Sequence, residues 1–181
     1  MVLRTLQAIV AAIQLAAPGV ADPDAFRFAR ALREQAQVHD FDPFTAVAMI
    51  HSESRFNPLA ISPDGEDYGL GQIRARYIGA CKLADSPVDY PSDGCIAQKQ
   101  RLLDPEENIR IIAEMISRHR DLCQRKVRSV KFQHWLASYQ GRNDPQLRRW
   151  CKPAPETWKV VKYRNFLIQE LYKRRLLKSP V

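Results

Sequence analysis

The sequence predicts a single, predominantly helical domain with one short hairpin or loop region inserted between helices. Three observations lead there. Acid–proline pairs stand before apolar stretches at helical spacing, at Asp22-Pro23, Asp42-Pro43 and Asp104-Pro105. No segment shows the strict alternation of a half-buried strand. One stretch, from Ile61 to Gly71, gathers three of the seven glycines, a proline and three acids, the composition of consecutive turns. The 181 residues are 45% hydrophobic and 27% charged, which is the balance of a globular chain with one core and excludes disordered and fibrous classes.

Residues 1–21 differ from the rest. Their one charge, Arg4, precedes an apolar stretch from Leu6 to Ala17, the breaker Pro18-Gly19 and the small-residue exit Gly19-Val20-Ala21. This is the layout of a secretory signal, so the domain proper is expected over 22–181 and the protein in the periplasm or outside the cell. The alternative is an amphipathic helix packed on the domain, kept open by Gln7 and Gln14. A helix opens at Asp22-Pro23-Asp24 and runs through Ala29, Leu32 and Ala36. A second carries Phe44, Val47, Ala48 and Ile50 and ends near Glu53-Ser54, ahead of Asn57-Pro58. Beyond the turn-rich stretch, Asp104-Pro105 caps a long helix with Ile109, Ile112, Ala113 and Ile116 on one face. Another passes Phe132, Trp135, Leu136 and Tyr139, and a last one follows Lys152-Pro153-Ala154-Pro155 to the basic end at Lys173-Arg174-Arg175. About seven helices are expected in all.

Cys81, Cys95, Cys123 and Cys151 contain no Cys-x-x-Cys pair and no histidine at finger spacing, so zinc does not fit. Four cysteines allow three pairings. The neighbour pairing, Cys81 with Cys95 and Cys123 with Cys151, closes moderate loops, and an even count beside an export signal points to an oxidising compartment. The set of 28 basic and 20 acidic side chains gives +8, or +7 once Arg4 is removed with the signal. That charge suits nucleic acid, anionic lipid or an acidic wall polymer equally. The runs Arg118 to Arg128 and Lys173 to Lys178 read as solvated helix faces, since no aromatic platform for bases interleaves them. No apolar run is long enough to span a bilayer.

Chemistry emerges by elimination. His51-Ser52-Glu53 has the first half of a zinc deaminase signature, but the Pro-Cys-x-x-Cys half is missing. No nucleophile elbow, phosphate loop or His-Glu-x-x-His occurs, and no motif demands a metal or cofactor. What remains is Glu53, at the end of an apolar helix and followed by a glycine-rich loop with further carboxylates. A carboxyl lodged against Met49, Ile50 and Phe56 is desolvated and keeps its proton, as a glycosidic-bond acid must.

The motifs Glu53-Ser54-x-Phe56-Asn57-Pro58, Ile61-Ser62-Pro63-x-Gly65 and Tyr68-Gly69-Leu70-Gly71-Gln72-Ile73 resemble, in that order, the signature of the soluble lytic transglycosylases of the lysozyme-like superfamily. Asp104-Pro105-x-x-Asn108-Ile109 and Ala137-Ser138-Tyr139-Gln140-Gly141 resemble two later blocks, so the likeness covers about residues 24 to 172. The resemblance implies an all-α dominated, lysozyme-like domain with its hairpin beside an active-site cleft for peptidoglycan strands. It makes Glu53 the catalytic acid and base, puts Ser62 and Gln72 in the cleft, and gives Tyr139 and Gln140 the places of the family's tyrosine and asparagine. Each has a plainer reading: turn capping for Ser62 and Gln72, a core aromatic for Tyr139, whose block also aligns one residue out of step through Ser138. Gly71 stands where the family usually has methionine, a departure that would remove one apolar contact to substrate.

The resemblance further implies cleavage of the β-1,4 bond after N-acetylmuramic acid by one glutamate, leaving a 1,6-anhydro end. Asp67 keeps a second chemistry open. Asp67-Tyr68-Gly69-x-x-Gln72-Ile73 also resembles the chicken-type lysozymes, whose equivalent aspartate is a second catalytic carboxylate in a hydrolysis. Asp64 and Glu66 read as exposed turn acids. A non-catalytic basic wall-binding domain is the reading from a different class. The expected partner is the glycan strand, with no nucleic acid and no membrane span. A secretion machine or envelope assembly is a further candidate, and the chain is expected to be a monomer.

Overall fold

The computed structural model describes residues 5–82 and 92–177; Arg4 and Lys178, named above, lie outside them. Among the described residues the chain forms eight α-helices and one small antiparallel pair of strands, a helix-dominated lysozyme-like fold. The helices are α1 (Leu6–Ala16), α2 (Asp22–Val38), α3 (Pro43–Glu53), α4 (Gly79–Lys82), α5 (Asp93–Arg101), α6 (Pro105–Val127), α7 (Phe132–Tyr139) and α8 (Pro155–Lys173). The strands are β1 (Asp67–Tyr68) and β2 (Ile73–Arg74), followed by a 3-10 turn at Ala75–Tyr77.

The acid–proline devices work as their chemistry demands. Asp42 accepts a hydrogen bond from the Phe44 amide at 3.2 Å, and Asp104 accepts one from the Glu107 amide at 2.9 Å, each with proline in the first turn. At α2 the cap shifts by one residue: Ala21 is the cap, and Asp22 and Asp24 lie in the first turn, where their charge favours the positive helix end. α4 and α5 were not expected. α5 buries only Cys95 and has no apolar stripe to reveal it.

α1 is folded into the core. Ala8, Ile9, Ala12 and Ile13 have no exposed surface, and the helix packs on α2, α3 and α8. The segment with the layout of an export signal is therefore, in this fold, a packed helix. α6 packs on α2 and α7, and its stripe of Ile109, Ile112, Ala113 and Ile116 is fully buried beside Leu136 and Leu167. Two disulfides join Cys81 to Cys95 and Cys123 to Cys151, the neighbour pairing. The first ties α4 to α5, and the second ties the end of α6 to the segment between α7 and α8.

The strands are too short to hold themselves. Asp67 pairs with Arg74 and Tyr68 with Ile73, and an isolated bridge adds Ile61 to Tyr68. Their anchor is Asn108 of α6, which is fully buried: its Oδ1 accepts from the Gly71 amide at 2.9 Å, and its Nδ2 donates to the carbonyls of Tyr68 at 3.0 Å and Leu102 at 2.7 Å.

Removal of residues 1–21 should cost more than about 4 kcal/mol of stability, because two fully buried isoleucines lose their packing and each large-to-small loss runs at roughly 2–5 kcal/mol. Denaturant unfolding of the 22–181 chain measures this, and an unchanged midpoint would remove α1 from the core.

Candidate functional site

Glu53 is the last residue of α3. Ser54 caps the helix, its amide donating to the Ile50 carbonyl at 3.0 Å, and the chain then turns through two left-handed residues, Arg55 (φ 52) and Phe56 (φ 64). Neither is glycine, so this exit stores strain, and the buried Phe56 ring, stacked 6.3 Å from Phe28, holds it in place. The outcome is a half-buried carboxyl at the end of an apolar helix. Burial pushes Glu53 up to about 7, and the negative charge of Asp67 adds to the rise. At neutral pH a large share of Glu53 carries its proton.

Three sequence-predicted residues come together here. Tyr139 of α7 donates from its hydroxyl to the Gly71 carbonyl at 3.1 Å, and burial, then the charges of Glu53 and Asp67, raise its phenol above the ordinary value. Glu53, Asp67 and Tyr139 thus act on one another electrostatically. Ser138, the alternative register for the tyrosine block, is instead buried behind them. It pairs with His119 Nδ1 at 2.8 Å and accepts from Asn143 Nδ2 at 2.8 Å.

The other predicted residues are engaged in holding loops. The Ser62 hydroxyl bonds to Asp64 and accepts from the Asp67 amide at 2.9 Å. Gln72, left-handed at φ 45, donates from Nε2 to the carbonyls of Ala60 at 3.2 Å and Gly69 at 3.1 Å. Gln140 Oε1 accepts from Thr157 of α8 at 2.7 Å, which ties α7 to the next helix. These bonds follow the turn-capping pattern for Ser62 and Gln72. Asp64 is an exposed turn acid, as expected, and pairs with Arg74 at 3.0 Å, whereas Glu66, expected to be exposed, is largely covered and pairs with Arg76 at 2.7 Å.

Two features were missed in the sequence. Arg74, directly across the hairpin from Asp67, grips both of its oxygens: Nε donates to Oδ1 at 2.9 Å and Nη2 to Oδ2 at 3.0 Å. A four-residue turn at Gly69–Gln72 fixes that register, so the pair was implicit in the hairpin. The second is His119, edge-on to Tyr139 with ring centroids 5.8 Å apart and pushed down to about 4, mainly by burial and then by Arg118, so that it is neutral at physiological pH.

Gly71 has a packing reason. A Cβ there would lie 2.6 Å from Ile112 Cδ1 and 3.1 Å from the Tyr139 hydroxyl. The space usually given to methionine is filled by Ile112 of α6. Among the described residues no group of three or more His, Cys, Asp or Glu is placed to hold a metal.

A family model described as the transglycosylase SLT domain matches residues 30–150, about two thirds of the chain. The chain belongs to this family. The matched span of this SLT domain runs from α2 to the segment after α7 and so contains Glu53, the hairpin, Asn108 and Tyr139. Family membership makes it a cell-wall enzyme domain of the lytic transglycosylase class, with peptidoglycan as the substrate polymer. No curated protein matches the chain.

Two outcomes follow from this geometry. A carboxyl whose folded value lies above its unfolded one, here about 7 against 4.5, holds its proton more tightly in the folded chain, so stability falls as pH rises between those values. Glu53→Gln removes that loss: the variant should match the parent near pH 4 and exceed it by up to about 3 kcal/mol at pH 8, read from denaturant midpoints. Gly71→Met should lower stability by about 1–3 kcal/mol through overpacking, with about half regained on adding Ile112→Ala.

Proposed function

We propose that this SLT domain cleaves the β-1,4 bond between N-acetylmuramic acid and N-acetylglucosamine without water. Glu53 gives its proton to the glycosidic oxygen as the bond to the anomeric carbon breaks, while the sugar's own N-acetyl oxygen supports that carbon. The resulting carboxylate then takes the proton of the muramoyl 6-hydroxyl, whose oxygen closes on the anomeric carbon. The product is a 1,6-anhydro end, and Glu53 leaves the cycle protonated, as it began. The observation that carries this reading is the Glu53 carboxyl raised to about 7, which lets one residue serve as acid and then as base near neutral pH.

Arg74 favours the single-glutamate chemistry. Both oxygens of Asp67 are engaged in the ion pair, so an attack by Asp67 on a sugar would first have to break a contact with a guanidinium. In this reading Asp67 acts through its charge, which keeps the proton on Glu53. Hydrolysis with Asp67 as the second carboxylate is the competing chemistry, supported by the electrostatic contact of the two acids. Ser62 and Gln72 serve by shaping the loop under Asp67, and Tyr139 by fixing Gly71.

The same reading places the protein in the periplasm or outside the cell, in an oxidising compartment that sustains two disulfides. The burial of α1 favours an N-terminal segment retained in the folded chain over one removed at Ala21.

Mass spectrometry of digested peptidoglycan tests the chemistry. Muropeptides lighter by one water at the muramic end are expected, and exclusively reducing ends would overturn the transglycosylase reading in favour of hydrolysis. Glu53→Gln should lower turnover by at least about a thousandfold with the fold intact, and unchanged turnover would refute its role.

A further inference from the structure

Separate stretches of the chain bring cations to one end of the molecule. The last turn of α6 carries Arg125 and Lys126, and its left-handed cap is Arg128 (φ 53). Lys131 caps α7, and the segment after α7 contributes Arg148, Arg149 and Lys152. The Cys123–Cys151 disulfide fastens that segment to α6 with 5.9 Å between Cα atoms, and Lys126 Nζ lies 4.8 Å from the centre of the Trp150 ring. All seven cations are exposed, and none takes part in an ion pair among the described residues.

The first half of α6 is different: there Arg110 pairs with Glu107 and Glu114, and Arg118 with Glu114. The acids near the cationic end are Asp121, one turn before Arg125, Glu156, which is paired with Arg142, and Asp144, whose Oδ1 accepts from the Leu147 amide at 2.9 Å. They leave a strong local excess of positive charge.

Exposed aliphatic side chains are interleaved with these cations: Val127 is 40% exposed, Val130 56% and Leu147 59%. That mixture discriminates between anionic partners. A nucleic acid would use an open aromatic face for its bases, and the nearby Trp150 ring is half-buried and covered by Lys126. A hydrophilic anionic polymer would leave the aliphatic groups in water. At a bilayer surface, Lys and Arg meet the lipid phosphates while short aliphatic tips enter the interfacial layer.

We propose that this end of the molecule docks on an anionic phospholipid surface. His119, one turn before Cys123 on α6, packs against Tyr139 beside Glu53, so docking here holds the reactive groups close to the membrane. The surface is separate from the chemistry of Glu53 and stands whether the product is an anhydro or a reducing end.

Co-sedimentation of the full chain with vesicles tests it, using phosphatidylcholine alone and phosphatidylcholine with about 30 mol% phosphatidylglycerol. Binding is expected only to the anionic vesicles and should weaken as salt rises. Replacing Arg125, Arg149 and Lys152 together by Gln should weaken it about a hundredfold, at roughly fivefold per cation, with an unchanged melting midpoint and unchanged cleavage of soluble glycan strands. Val130→Ser with Leu147→Ser should weaken vesicle binding about tenfold and leave binding to a soluble polyanion, heparin, unaltered. Absence of binding to anionic vesicles, or vesicle binding indifferent to both sets of changes, overturns the proposal. Vesicle binding that follows the cations but not Val130 and Leu147, with heparin bound at least as tightly as the anionic vesicles, assigns the surface to a soluble polyanion instead and likewise overturns it.

Discussion

The side-chain amide of Asn108 is the contact on which the rest of the site depends. It is fully buried, and both of its polar atoms are occupied by backbone groups of other segments, the Gly71 amide and the carbonyls of Tyr68 and Leu102. Two strands of two residues each do not define a hairpin unaided. Asn108 supplies what the ladder lacks, and the loop is built around it: a Cβ on Gly69, which is left-handed at φ 72, would fall 2.2 Å from the Leu102 carbonyl oxygen and 2.4 Å from Asn108 Nδ2. With the turn fixed, Asp67 faces Arg74, and the charge that Glu53 senses is set in place. A buried polar group left half-satisfied would cost about 1–3 kcal/mol, so this anchor has little room for variation.

Glu53 shows the opposition between stability and chemistry directly. It ends α3, where the helix dipole disfavours a negative charge, and it is crowded by apolar neighbours and by Asp67. Each of these influences makes ionised Glu53 unfavourable, and each makes it a better proton donor. The neutral His119 and the raised phenol of Tyr139 belong to the same low-polarity surroundings, in which burial is the first cause of every shift. Arg74 limits the effect by pairing the one neighbouring carboxylate.

Much of this was legible in the residues. Proline and aspartate marked the starts of α3 and α6 because their preferences act within a few residues, and Glu53 stood out because its motif is local. The disulfide pairing agreed with the simplest loop closures. What escaped depended on distance or direction. α5 carries no apolar face, and the Arg74 clamp exists only once the strands are in register. The polar atoms of Ser62, Gln72 and Gln140 were assigned by motif to the cleft, but spacing along a chain does not say which way an amide points, and the bonds they make run to backbone and to Thr157. Gly71 is the clearest case. The sequence shows a missing side chain, and only the packed structure shows that Ile112 occupies the space.

The Cys81–Cys95 bridge has a consequence for how this domain can vary. It joins the end of α4 to the first turns of α5 across a separation of 14 residues, with 4.4 Å between the two Cα atoms. The chain between them is therefore a covalent ring whose two ends stay adjacent whatever its length. A single peptide-bond cut inside the ring leaves both fragments attached through Cys81 and Cys95. The covalent link between α4 and α5 is thus independent of the residues that separate Lys82 from Ser92.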